Sequence, residues 1–317
     1  MYYADALGFL GLPGQPIKIE NNLKLNLVHL TAAPPWLIEG SEVVAKVIEF
    51  RAQVESCESL LLVRSKDDLR KADEKGKIAV ILGLQNSSFV SCQSLKDLGV
   101  SVTGLAYQGL NALGSGWENM GVGLNETGRS FLGACKINGL IVDLSHCGHQ
   151  TARDAVNFNL DVPMMASHGG CYMKYHHPRN LPDDVLKKIA DRYGVVGAYL
   201  RTFGLREPEA SFKDFLDHLE HMIKFYGEEQ VVIGSDAYYV NVSPEEARKN
   251  FDLLKDRIDP LETQGARFPE YLATGPDLMD MIARRLDNIG ALRTNLSPRV
   301  VDKILGLNFR RFLERSL

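Results

Sequence analysis

Short apolar or β-branched runs recur along this chain at a spacing of about 30 residues, and most of them close on a polar residue. In order they are Tyr2–Leu7, Leu25–Leu30, Lys77–Gln85, Val100–Tyr107, Leu140–His146, Val162–His168, Val195–Leu200 and Gln230–Asp236. Such runs read as strands buried on both faces, as in a parallel sheet covered by helices. Helical periodicity fills most of the gaps, over Ser41–Val54, Arg129–Asn138, Gln150–Val156 and Phe212–Tyr226. The alternation predicts a (β/α)8 TIM barrel. The tail adds helices, one of them opened by Ser297 as N-cap and Pro298 in the first turn. An open doubly wound sheet is the alternative, but no GxGxxG follows the first strand. No Pro- or Ser-rich linker interrupts the pattern, so residues 1–317 are expected to form a single domain.

The strand ends carry the chemistry. They are Asp5, His29, Gln85, Tyr107, His146, His168, Tyr199 or Arg201, and Asp236. A lone polar residue at a strand end is commonly just solvated, but in a parallel barrel all of these face one mouth. His146 and His168, each preceded by Ser, end neighbouring strands of one strand-helix-strand unit and point to a shared site. Other residues have bland readings. His176 and His177 are expected to be solvated loop residues at the entrance, and His218 and His221 outer-face residues of an amphipathic helix. Cys147 and Cys171 read as small buried fillers.

Composition narrows the class. A net charge of −4, with scattered basic residues and a pI near 6.1, argues against nucleic acid and anionic membranes as partners. The apolar fraction of 45% and charged fraction of 24% match an ordinary globular protein. The five cysteines form no CxxC pair and are odd in number, which predicts reduced thiols. No apolar run is long enough to cross a bilayer, and Met1–Asp5 lacks a basic, signal-like start. A cytoplasmic location is therefore expected.

Five segments together resemble the renal (membrane) dipeptidase family, peptidase family M19, within the amidohydrolase superfamily. They are Val142-Asp143-Leu144-Ser145-His146, Ser167-His168, Arg179-Asn180-Leu181-Pro182-Asp183-Asp184-Val185-Leu186, Ile233-Gly234-Ser235-Asp236 and Gly306-Leu307-Asn308-Phe309-Arg310. The resemblance covers nearly the whole chain. It implies a two-zinc site at the barrel mouth that activates water to hydrolyse dipeptides, and it makes a homodimer an expectation. By resemblance, His146 and His168 are metal ligands, Arg179 holds the substrate carboxylate, and Asp236 is an acid–base or polar group.

The chain departs from the family where the resemblance implies the remaining ligands. Leu7 and Phe9 stand in place of a first-strand His-x-Asp pair, and Gln85 replaces a metal-bridging glutamate. Tyr107 occupies the place of a substrate-binding histidine. The chain is similar to a divergent subgroup with an Asp-Ala-Leu start and a strand-two histidine, here His29. The expectation is a dipeptidase-like metallohydrolase acting on a small dipeptide or amide with a free carboxylate, using one zinc ion at most. In it Asp236 is the catalytic residue and Arg179, Tyr107, Gln85 and His29 bind substrate. The alternative is a metal-free binding protein or pseudoenzyme that keeps the pocket without peptidase activity.

Overall fold

A computed structural model of the protein describes residues 1–12, 15–158, 161–206, 210–241, 243, 245, 273–287 and 296–317. All eight expected strands are present as parallel neighbours: β1 (Ala4–Asp5), β2 (Leu27–Thr31), β4 (Ile78–Leu84), β5 (Val100–Gly104), β6 (Ile141–Asp143), β7 (Met164–Gly169), β8 (Val195–Ala198) and β9 (Val231–Ile233). Every residue of β4 is buried, as a strand covered on both faces requires. The ring closes between its first and last strands. Ala6 N donates to Ile233 O at 2.8 Å, and Asp236 N to Leu7 O at 2.8 Å. The result is a (β/α)8 TIM barrel.

One strand was not expected. β3 (Leu60–Leu62) pairs with the start of β4, Leu60 opposite Ile78, on the stretch ahead of the point where β5 joins at Leu82. Three leucines between a helix and a polar segment are too short a run to show a period of two.

Inside the barrel, alternate residues of the strands form one apolar cluster that includes Ala4, Leu27, Ile81, Val102, Ile141, Met165, Val195 and Val232. Phe309, Phe312 and Leu313 belong to the same cluster. They come from the last helix (Asn308–Ser316), so the tail closes the end of the barrel opposite the strand C-termini. The Gly306–Arg310 motif makes this possible. A Cβ on Gly306 would meet Tyr2 O at 2.2 Å, and Asn308 Nδ2 donates to Glu228 O and Val231 O.

The outer layer includes α1 (Gly40–Ser56), α2 (Lys66–Glu74), α3 (Cys92–Asp97), α4 (Glu126–Asn138), α5 (His149–Asn157), α6 (Asp183–Asp191) and α7 (Phe212–Tyr226). Helix α4 begins ahead of the expected Arg129, because Asn125 caps it by accepting from Gly128 N. Among the described residues no helix is long and apolar enough to cross a membrane.

Candidate active site

The site is built around Asp143, the last residue of β6. Its carboxylate accepts Ser145 N, Ser145 Oγ, Ser167 N and Ser167 Oγ, which ties the ends of β6 and β7 together. Because Ser167 Oγ gives its proton to Asp143, it accepts from Nδ1–H of His168, 2.7 Å away. That assigns the tautomer, and His168 Nε2 is left with a lone pair. It faces His146 Nε2 at 3.0 Å. The second nitrogen is itself an acceptor, since Arg179 Nη2 donates to it at 3.1 Å. The Tyr107 ring packs on His146 with centroids 4.2 Å apart.

Arg179 is placed by the loop that follows β7. Asn180, fully buried, accepts from Gly170 N and donates to Tyr175 O and Gly204 O. Pro182 then caps α6. The rigid Arg-Asn-Leu-Pro segment turns the Arg179 side chain inward, where it is 2% exposed. Its guanidinium donates to Ser145 O, His168 O and His146, and it forms no ion pair with a described acid. Burial, reinforced by the Arg179 charge, pushes the proton affinity of both His146 and His168 well below that of a free imidazole. Both rings are neutral at neutral pH.

Asp236 lies at the mouth in an ion pair with Arg201, 2.7 Å from Nε to Oδ2. Its φ of 53° is left-handed, a strained conformation for a residue with a Cβ that costs on the order of 1 kcal/mol and clusters at functional sites. Arg201 was expected only as an alternative strand end. Its charge also lowers the proton affinity of both site histidines. Nothing local in the sequence distinguishes it from a surface arginine; its partner is 35 residues away.

His29 is buried inside the barrel wall. Its Nδ1–H donates to Ala6 O at 2.7 Å, and its Nε2 has no hydrogen-bond partner among the described residues. Burial lowers its proton affinity, and the Asp143 charge partly opposes that. Gln85, 8% exposed, donates from Nε2 to Thr31 Oγ1 at 2.7 Å, across the ends of β4 and β2. The structure thus brings His146, His168, Arg179 and Tyr107 into direct contact. Asp236 pairs with Arg201, whose charge reaches both histidines, while His29 and Gln85 hydrogen-bond to the barrel wall, at Ala6 O and Thr31 Oγ1.

Among the secondary candidates, His218 departs from expectation. It is 2% exposed, accepts from Cys171 N and donates to Leu205 O, so it braces the loop after β7 and does not face solvent. Burial pushes its pKa down to about 4. His176 is exposed and stacks on Tyr172, whereas His177 is half-buried between Trp117 and Phe203. Cys147 and Cys171 are buried, and desolvation raises both thiols, Cys147 to about 12. Neither is a nucleophile at neutral pH.

The donor set can be tested against zinc. Two imidazole nitrogens with converging lone pairs, one braced through Ser167 to a carboxylate, match one side of a zinc ion. Among the described residues no group of three His, Cys, Asp or Glu side chains converges. Leu7 is wholly buried, and Phe9 packs against Tyr238 with ring centroids 5.2 Å apart. Among the described residues the donors that converge are these two imidazoles, one of them already accepting from Arg179, and no second set of ligands joins them.

Comparison with known proteins agrees with the fold and the motifs. The profile of the membrane dipeptidase family, peptidase family M19, matches residues 42–258, which is more than half of the chain. The chain belongs to the membrane dipeptidase family. It is 29% identical over 254 residues to an uncharacterized dipeptidase, C965.12, of Schizosaccharomyces pombe, covering 76% of this chain and 54% of that protein. It is 26% identical over 263 residues to dipeptidase tcpJ of Claviceps purpurea, covering 80% and 54%. The chain therefore spans about half the length of the curated family relatives it matches. Among solved structures it is similar to an amidohydrolase from Pseudomonas aeruginosa, with a TM-score of 0.77, 23% identity and coverage of 99% and 96%. It is also similar to a metallo peptidase from Rhodobacter sphaeroides, solved with a phosphinate mimic of L-Ala-D-Ala, with a TM-score of 0.77, 18% identity and coverage of 100% and 99%. At these identities the structural likeness speaks for the fold.

Proposed function

We propose that this chain is a dipeptidase-like hydrolase of small amides that carry a free carboxylate. The observation that carries the reading is Arg179. A guanidinium buried to 2% exposure, with no ion pair to a described acid, lies against the two neutral histidines of the mouth. A buried charge without a counter-ion is costly, and a ligand carboxylate relieves that cost while accepting charge-assisted hydrogen bonds. Membership of the dipeptidase family supports the same class.

With its carboxylate on Arg179, a dipeptide-sized ligand lies with its amide over His146 and His168. These two residues would hold one zinc ion at most, and such an ion, when bound, lowers the pKa of its water to about 7. Tyr107, packed on His146, and Gln85 polarise the amide carbonyl; His29 lines the pocket floor. Asp236 is the acid–base group, held in place by Arg201.

A second reading is a metal-free pocket that binds the same ligands without hydrolysing them. It is favoured by the Arg179 donor on His146 Nε2, which puts a positive charge where a cation would sit. Metal content by plasma mass spectrometry, with a hydrolysis screen of dipeptides and N-acyl amino acids, separates the two. About one zinc per chain, lost together with activity in a His146→Ala, His168→Ala variant, is the expected result. No zinc after reconstitution and no hydrolysis, with a carboxylate ligand still bound, would establish the second reading.

A further inference from the structure

A free dipeptide is a zwitterion at neutral pH, so a buried pocket that accepts it must satisfy an ammonium as well as a carboxylate. The carboxylates at the strand ends that could do so are Asp5, Asp143 and Asp236. Asp5 accepts Leu7 N, Ser235 N, Ser235 Oγ and the Tyr239 hydroxyl. Asp143 accepts the two serines described above. Only Asp236 is not consumed by such a network, and Arg201 is paired with it at 2.7 Å, the two side chains being 13% and 10% exposed. An ammonium entering this mouth meets two guanidiniums, Arg179 and Arg201, and no uncommitted strand-end carboxylate.

We propose that Arg201 sets the ligand class of the pocket: by occupying the Asp236 carboxylate it excludes ligands with a free α-amine and selects amine-blocked amides with a terminal carboxylate, the N-acyl amino acid class. The inference rests on the reading that Arg179 holds the ligand carboxylate, and it assigns Arg201 as a specificity-determining residue. The backbone at Asp236 is left-handed, with its N–H on Leu7 O, and both side chains of the ion pair are largely withdrawn from solvent.

Two ligands of nearly equal shape make the test. N-propionyl-alanine is alanyl-alanine with the ammonium replaced by hydrogen, so the pair differs only in the group at issue. In calorimetric titrations of the purified full chain, the wild type binds N-propionyl-alanine more tightly by about tenfold or more, the scale of one unpaired buried charge. Arg201→Met, which frees Asp236, loses or reverses that preference; Arg201→Lys, which keeps the ion pair, retains it. Arg179→Met weakens both ligands by a similar factor. Equal wild-type affinities, or a preference unchanged in Arg201→Met, would overturn the role of Arg201 and leave the carboxylate pocket standing. A wild type that binds neither ligand would overturn both.

Discussion

Ser167 Oγ stands between the Asp143 carboxylate and His168 Nδ1, giving its proton to the first and accepting one from the second. One hydroxyl thereby fixes which nitrogen of His168 is free to act at the mouth. Ser167→Ala removes the bridge without adding volume. On the proposed reading, in which the histidine pair holds a zinc ion, we expect it to lower that affinity by about 10–100-fold, the usual effect of losing the partner that orients a ligand. Zinc titration with a competing chelator measures this; an unchanged affinity would show that His168 is oriented by packing alone.

Asp143 itself holds the ends of β6 and β7. Replacing it with Ala leaves several buried donors without an acceptor, each costing about 1–3 kcal/mol less whatever the hydroxyls recover by rotating. A total loss of roughly 3–5 kcal/mol is expected, read as a lower urea midpoint at unchanged slope.

Gly83 and His29 are coupled by shape. A Cβ on Gly83 would lie 2.0 Å from His29 Nε2, so Gly83→Ala forces the imidazole out of its place. The single variant should lose about 1–3 kcal/mol of stability. Once His29→Ala has emptied the space, the same Gly83→Ala change should be nearly neutral. A double-mutant cycle with no coupling energy would contradict this packing.

Asp5 gives the fold a pH dependence. Complete burial raises its pKa from 3.8 to about 6 in spite of four donors. The folded state therefore binds the proton more tightly than the unfolded chain, and its stability falls as pH rises from about 4 to about 6, by up to roughly 3 kcal/mol. Asn fits the same site: its oxygen accepts the two backbone N–H groups while its NH2 donates to the Ser235 and Tyr239 hydroxyls. Asp5→Asn should match the wild type near pH 4 and exceed it above pH 6. Urea unfolding across that range checks the sign.

Much of this was legible in the chain alone, because it depends on local period. Runs such as Ile78–Leu84 and Leu140–His146 are apolar throughout because both faces of a barrel strand are covered, and the residue that ends each run must face the mouth. That was enough to place His146, His168 and Asp236 at one end of one fold, and the Arg-Asn-Leu-Pro and Gly-Leu-Asn-Phe motifs tied the fold to its family. The contacts between those ends were not legible. Arg201 meets Asp236 across 35 residues, Asp5 meets Ser235 across 230, and His29 fits only because Gly83 lacks a side chain. These pairings depend on barrel closure and on the depth at which each side chain sits. Closure brings together strands far apart in sequence, and burial turns ordinary polar residues into neutral imidazoles and committed carboxylates.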